Sequence, residues 1–144
     1  MILVGSAARA VLLDTCAIIY VFNAEPIAQY VIDEIEHAGK QNGVFVSPIS
    51  AWEIGMLSRR TNSPAFAPDA KTWFKTILGA PTVRLTPLTA DIAIESSLLP
   101  PPIHKDPADR LLIATARSLN VPIVTRDRLI LEYAEAGHVD AILC

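Results

Sequence analysis

Five short apolar runs punctuate the chain: AVLLDT (10–15), GVFVSP (43–48), TVRLTP (82–87), VPIVTRD (121–127) and VDAIL (139–143). Runs of this length, closed by polar or turn residues, suit strands buried on both faces. Helix-type segments fill the gaps, at 15–23, 25–43, 50–60, 69–79, 89–99, 107–119 and 128–137. In the second of these, Pro26 is the expected start, Ile27, Val31, Ile35 and Ala38 share one face, and Gly39 is the expected stop. TNSPAFAP (61–68) reads as a loop, and helix 69–79 is expected to start on an acidic cap. The alternation of strand and helix with short connections predicts a three-layer α/β/α sandwich around a mainly parallel sheet of about five strands, with VDAIL at an edge.

The chain has 144 residues, 51% hydrophobic and 19% charged. That balance argues against disorder, and it supplies a single domain with apolar surface beyond its core for a partner. No apolar run is long enough to span a membrane, and MILVGSAARAVLLD lacks the basic start of a signal peptide. Two cysteines, Cys16 and Cys144, give neither a disulfide framework nor metal-ligand spacing, which suits a cytoplasmic protein. The net charge of −3 excludes a generally basic nucleic-acid-coating protein, so contact with a polyanion would be local.

In an open parallel sheet, ligands bind beyond the carboxyl ends of the strands, where the strand order reverses. Asp14 closes the first run and Asp127 closes VPIVTRD, while Glu53 and Asp109 lie one turn into the helices after VFVSP and PPPIHK. Each has a plain structural alternative. Asp14 and Asp127 suit helix N-caps, and Ser50 with Glu53 fits a capping box. Side-chain direction favours a site: Glu53 shares a helical face with Met56 and Leu57, and Asp109 shares one with Leu112, Ile113 and Ala116. Carboxylates about 4 Å apart repel by about 4 kcal/mol at an effective dielectric near 20, so a converging set stays ionised only around a cation. An all-oxygen donor set selects Mg²⁺ or Mn²⁺, ions that serve phosphoryl chemistry.

Four segments, LLDTCAIIY, VSPISAWEIGMLSRR, HKDPADRLLIATAR and VTRDRLILEYAEAG, resemble in order and spacing the PIN domain of VapC-type toxins from type II toxin–antitoxin pairs. The likeness runs from Val11 to Cys144. It makes the chain one PIN domain over 1–144, with residues 1–10 left as a tag-like extension, an early start or a short tail. The resemblance implies a Mg²⁺- or Mn²⁺-dependent ribonuclease toxin, silenced by a VapB antitoxin. Asp14, Glu53, Asp109 and Asp127 match its metal-binding acids, and Thr15 and Thr125 its supporting hydroxyls. Cleavage of RNA would leave a 5′-phosphate and a 3′-hydroxyl. Tyr20 to Ala38 matches the region that receives the antitoxin, and the family habit implies a homodimer.

Lys105, Arg110, Arg126 and Arg128 flank the acids and suit phosphate contacts, although each equally suits a solvated surface. Trp52 and Trp73 have stacking chemistry, but their helical positions beside apolar neighbours predict core or dimer packing. His104 has the chemistry of a general acid, yet it stands alone, and His37 and His138 have no constellation around them. In HKDPADR, Asp106 before Pro107 reads as the cap and Asp109 as the ligand, with Asp106 and Arg110 spaced for an ion pair. A haloacid-dehalogenase-type phosphotransferase needs a second aspartate where Cys16 stands. A receiver domain needs an acidic pair where Leu13 precedes Asp14. The remaining alternative is a non-catalytic binding module whose acids are only caps.

Overall fold

The computed structural model describes residues 10–102 and 105–144; the expectations for residues 1–9 and for His104 lie outside the described residues. From the N-terminus the chain forms β1 (Val11–Leu13), α1 (Thr15–Phe22), α2 (Gln29–Gly39), β2 (Val44–Val46), α3 (Pro48–Ser58) and α4 (Ala70–Leu78). It continues with β3 (Val83–Leu85), α5 (Ala90–Ser97), α6 (Pro107–Leu119), β4 (Ile123–Thr125), α7 (Arg128–Glu135) and β5 (Ala141–Leu143). The sheet order is β3-β2-β1-β4-β5, and every pairing is parallel. The expected α/β architecture is therefore present, with β5 on an edge.

Alternation along the strands divides the interior in two. Val11 and Leu13 of β1 face a core that includes Ile18 of α1, Val31 of α2, Ile54 of α3 and Phe74 of α4. Leu12, between them, faces a second core with Leu112 and Ile113 of α6 and Ile130 and Tyr133 of α7. Both faces of β1 are fully buried, which is why its sequence is continuously apolar rather than alternating. α5 packs on the outside of α6.

The order reverses at β1: the chain passes from β1 to β2 on one side, and later returns to lay β4 on the other. A crevice therefore opens at the carboxyl ends of β1 and β4. Asp14 directly follows β1, and Asp127 follows β4 by one residue.

Several boundaries differ from the sequence expectation. α2 starts at Gln29 rather than at Pro26, after Ala28, which offers no side-chain cap. Gly39 is its last residue, as expected; a Cβ built there would lie 3.4 Å from Thr82, and the left-handed residue is Asn42 (φ 53°), three positions later. α3 starts two residues earlier than expected, because Ser47 accepts from Ile49 N and Pro48 takes the first helical position. The Ser50–Glu53 capping box does not form, since both residues lie inside the helix.

α3 is apolar on several sides, so its sequence does not disclose which side is inward. Its fully buried residues are Ser50 and Ile54. At 100° per residue, Trp52 and Met56 point away from that edge, and they are 59% and 48% exposed. Of the core or dimer packing expected of Trp52, the core half is therefore wrong, as is the core-facing role given to Met56. Trp73 is buried as expected, edge-on to Phe66 and donating from Nε1 to Asn23. Leu12→Ala is expected to lower unfolding free energy by about 3 kcal/mol and Trp52→Ala by less than about 1 kcal/mol, measured by urea denaturation.

Candidate active site

Asp14 leaves β1 in extended conformation and caps α1, its Oδ1 accepting from Thr15 N at 2.7 Å. Its backbone N–H still donates to Val124 O of β4, at 3.0 Å, so the residue belongs to the sheet and the helix at once. Thr125, fully buried at the end of β4, donates its hydroxyl to Asp14 Oδ2 at 2.6 Å and accepts from Asp127 N at 2.9 Å. One hydroxyl thereby couples the ends of β1 and β4 to the start of α7. Asp127 in turn caps α7, accepting from Ile130 N at 3.0 Å.

Glu53 approaches from α3. Its Oε1 lies 2.6 Å from Thr15 Oγ1, which is also 2.9 Å from Ser50 Oγ. Having a single proton, Thr15 donates it to the carboxylate and accepts from Ser50. On α6, Asp106 caps by accepting from Ala108 N at 2.9 Å, with Pro107 behind it, and Asp109 sits in the first turn at 7% exposure. Asp14, Glu53, Asp106, Asp109 and Asp127 line one cleft of about 400 Å³, with Thr15, Cys16, Ile19, Leu57 and Arg126. α1, α6 and α7 all begin at this cleft, presenting the positive ends of their dipoles to the acids.

Burial pushes the Asp14 carboxyl up, against the lowering effect of the Thr125 and Thr15 donors. Burial also raises Glu53, opposed by the Thr15 hydroxyl and reinforced by Asp14 and Asp106. Asp109 is pushed up to about 8, first by burial and then by Asp14, Asp106, Asp127 and Glu53 together. Arg126 is the single cation among the described lining residues, and its guanidinium is held by Cys144 O at 3.0 Å and Pro26 O at 3.3 Å, over the Tyr20 ring. The cleft is thus an anionic pocket short of positive charge. Its all-oxygen donors fit a hard divalent ion, whose charge would offset the mutual repulsion. In this conformation no group of three His, Cys, Asp or Glu side chains that could hold an ion is assembled among the described residues.

A family model described as the PIN domain matches residues 11–136. The chain belongs to the PIN domain family. It is 32% identical over 120 residues to ribonuclease VapC22 of Mycobacterium tuberculosis, covering 82% of this chain and 87% of that one. Among solved structures it is similar in fold to VapBC2 from Rickettsia felis bound to a DNA fragment from its promoter (TM-score 0.65, 16% identity, 98% of this chain and 97% of that chain). It is also similar to the M. tuberculosis VapC20, a sarcin–ricin-loop-cleaving toxin (TM-score 0.60, 21% identity, 90% and 97%).

In this PIN domain all four acids named from the sequence line the same cleft, and both threonines touch them. The basic residues are dispersed. Arg110 donates to the carbonyls of Ser96 and Ser97, Arg128 forms an exposed pair with Glu132 at 3.5 Å, and Lys105 is exposed. Arg126 alone among them reaches the cleft. His37 is exposed, and His138 stacks on Tyr133. Sequence reasoning missed Ser50 as a partner of Thr15, and Cys16, whose thiol donates to Asp14 Oδ2 at 3.6 Å. Cys16 stands two residues beyond Asp14 on the first helical turn, which was a usable signal. Ser50 was obscured by its reading as a cap.

Two measurements follow from this geometry. Thr125→Val removes the donor to Asp14 and the acceptor for Asp127 N, and is expected to cost about 1 to 3 kcal/mol by denaturation, with Thr125→Ser close to wild type. In chelator, the raised Asp109 carboxyl favours the protonated fold. Stability is then complete below its ordinary value of 3.8 and declines as pH rises toward about 8. Asp109→Asn should therefore raise Tm by a few °C above pH 8, with the gain shrinking to nothing near pH 4; a pH-independent difference would contradict the charge argument.

Proposed function

We propose that this chain is a divalent-metal-dependent endoribonuclease toxin, acting as one PIN domain over its 144 residues. Asp14, Glu53, Asp109 and Asp127 hold Mg²⁺ or Mn²⁺, and Thr15 and Thr125 fix the acids. The observation that carries this is the crowding of four carboxylates, with Asp106, around one cleft at the point where strand order reverses. The relationship to a chain named as a ribonuclease supports the choice of RNA as substrate.

A hard divalent ion bound there supplies Lewis acidity to activate water and to neutralise phosphate oxygens. The protein's own contribution is positional. Asp14 is fixed by Thr15 N on one oxygen and by Thr125 on the other, and a carboxylate oxygen accepting one hydrogen bond retains a further lone-pair site for a cation. The Ser50–Thr15–Glu53 chain holds the α3 carboxylate toward the same cleft and ties α3 to the start of α1. Asp109 is locked by Leu112, Ile113 and Ala116, buried on its own face of α6. Phosphate recognition falls to Arg126 at the cleft and to Lys105 and Arg128 outside it, with Arg110 further back.

Several solved neighbours are VapBC, FitAcB or toxin–antitoxin structures, which supports a VapB-type antitoxin as the partner; its reception by Tyr20 to Ala38 and a homodimeric toxin belong to the same proposal. No helix among the described residues is long and apolar enough to cross a membrane, in keeping with a cytoplasmic site of action.

Asp14 and Asp127 are helix caps, as the alternative of a non-catalytic module requires. One assay separates the two: antitoxin-free protein with RNA and Mg²⁺ or Mn²⁺, with and without chelator. Wild type should cut; Asp14→Asn and Asp109→Asn should cut at least about a hundredfold more slowly. Metal should raise the Tm of wild type and much less that of Asp109→Asn, because binding to the native state alone stabilises it. On expression, toxicity should be relieved by Asp109→Asn but not by Asp106→Asn, since Asn caps a helix as well as Asp does. Intact RNA with every protein would leave the caps as the whole role of the acids.

A further inference from the structure

An exposed arginine ordinarily samples many rotamers, and a ligand that orders it loses affinity to that entropy. Arg126 is exposed, yet it is braced from three directions at the rim of the cleft. Its Cζ lies over the Tyr20 ring, 3.9 Å from the centroid. Its Nε donates to Cys144 O at 3.0 Å and its Nη2 to Pro26 O at 3.3 Å. The braces are themselves anchored. Cys144 N donates to Thr125 O at 3.0 Å, so the pairing of β4 with β5 sets that carbonyl. Tyr20 O accepts from Glu25 N at 2.8 Å, closing a turn after α1 in which Ala24 is left-handed (φ 53°). This one turn delivers both the Tyr20 ring and the Pro26 carbonyl to the arginine.

We propose that Tyr20 is a positioning residue for substrate recognition: its ring fixes the Arg126 guanidinium at the cleft, where Nη1 contacts a phosphate of bound RNA. The two carbonyls engage Nε and Nη2 on one edge of the guanidinium, and Nη1 is the donor group they leave. Those bonds act in the guanidinium plane, while the ring covers one face and restrains tilt, so neither kind of contact replaces the other. A ring and two carbonyls also leave the positive charge unneutralised, as a phosphate ligand requires. The other arginines near the acids are spent differently. Arg128 faces the Glu132 carboxylate, and Arg110 donates to Ser96 O and Ser97 O. Ordering Arg126 before the substrate arrives spares binding energy that a mobile side chain would consume. That the anion is RNA rests on the proposed nuclease function; the bracing of Arg126 by Tyr20 does not.

The test uses the full chain carrying Asp109→Asn, so that the probe stays whole, and a fluorescein-labelled single-stranded oligouridine in Mg²⁺. Binding is read by anisotropy, and the Arg126 Nε–H is followed by NMR. Tyr20→Leu is expected to weaken binding about three- to fivefold and Arg126→Ala about tenfold. Adding Tyr20→Leu to Arg126→Ala should weaken it no further, because the ring acts only through the arginine. Tyr20→Phe keeps the ring face and should recover binding to within about twofold of the parent. The Nε–H resonance should move in Tyr20→Leu, which removes the ring current, and stay in place in Tyr20→Phe. Tm is read on every variant, and Tyr20→Met replaces Tyr20→Leu in the cycle if the latter does not fold. Unchanged binding in Tyr20→Leu, an equal loss with and without Arg126, or no recovery in Tyr20→Phe would each overturn the proposal. So would a probe that no variant binds. If the chain with Asp109 intact leaves RNA whole, the nuclease reading fails, while the binding cycle still decides whether Tyr20 and Arg126 act as one unit on a polyanion.

Discussion

The hydrogen bond from Thr125 to Asp14 joins the two central strands at the point where the topology opens a crevice. Asp14 is 5% exposed and Thr125 fully buried, so neither can exchange this partner for water without cost. The same threonine oxygen receives Asp127 N, and Asp14 Oδ1 receives Thr15 N. From this one contact follow the starts of α1 and α7, the placement of Thr15 against Glu53, and the shape of the cleft. Without it only the backbone pairing of β1 and β4 would relate the two acids.

Capping and site-building are often weighed as alternatives, and here the same carboxylates do both. Asp14 and Asp127 each satisfy an otherwise unpaired N–H at a helix start, and the need for a cap dictates where each side chain emerges. On α6 the two functions are divided. Asp106 fixes the first turn, and Asp109, three residues later, is carried inward with Leu112 and Ile113. The outcome is a concentration of negative charge that burial and mutual repulsion make unfavourable, most clearly at Asp109. Such an arrangement stores instability where a cation would relieve it, a familiar cost of functional sites.

Most of the fold was legible because parallel strands buried on both faces carry an unambiguous apolar signature, and because helices α4, α6 and α7 have acidic caps at their starts. The four acids were legible too, since strand ends and first helical turns are identifiable without coordinates. α3 was the failure. Its apolar residues surround the helix, so periodicity could not choose between the Ser50–Ile54 edge and the Trp52–Met56 edge, and Ser47 was overlooked as the cap in favour of Ser50. Gly39 was legible as the end of α2, while the left-handed conformation beyond it falls on Asn42.

The sequence by itself determined the element order, the parallel sheet and the identity of the clustered acids, because these depend on local periodicity and on residues next to strand ends. The tertiary structure alone decided what depends on contacts between distant segments. It set Thr125 against Asp14 and Ser50 against Thr15, and it turned Trp52 outward. Each of these is fixed by strand order and by the rotation of a helix about its axis, two quantities that no short stretch of residues encodes.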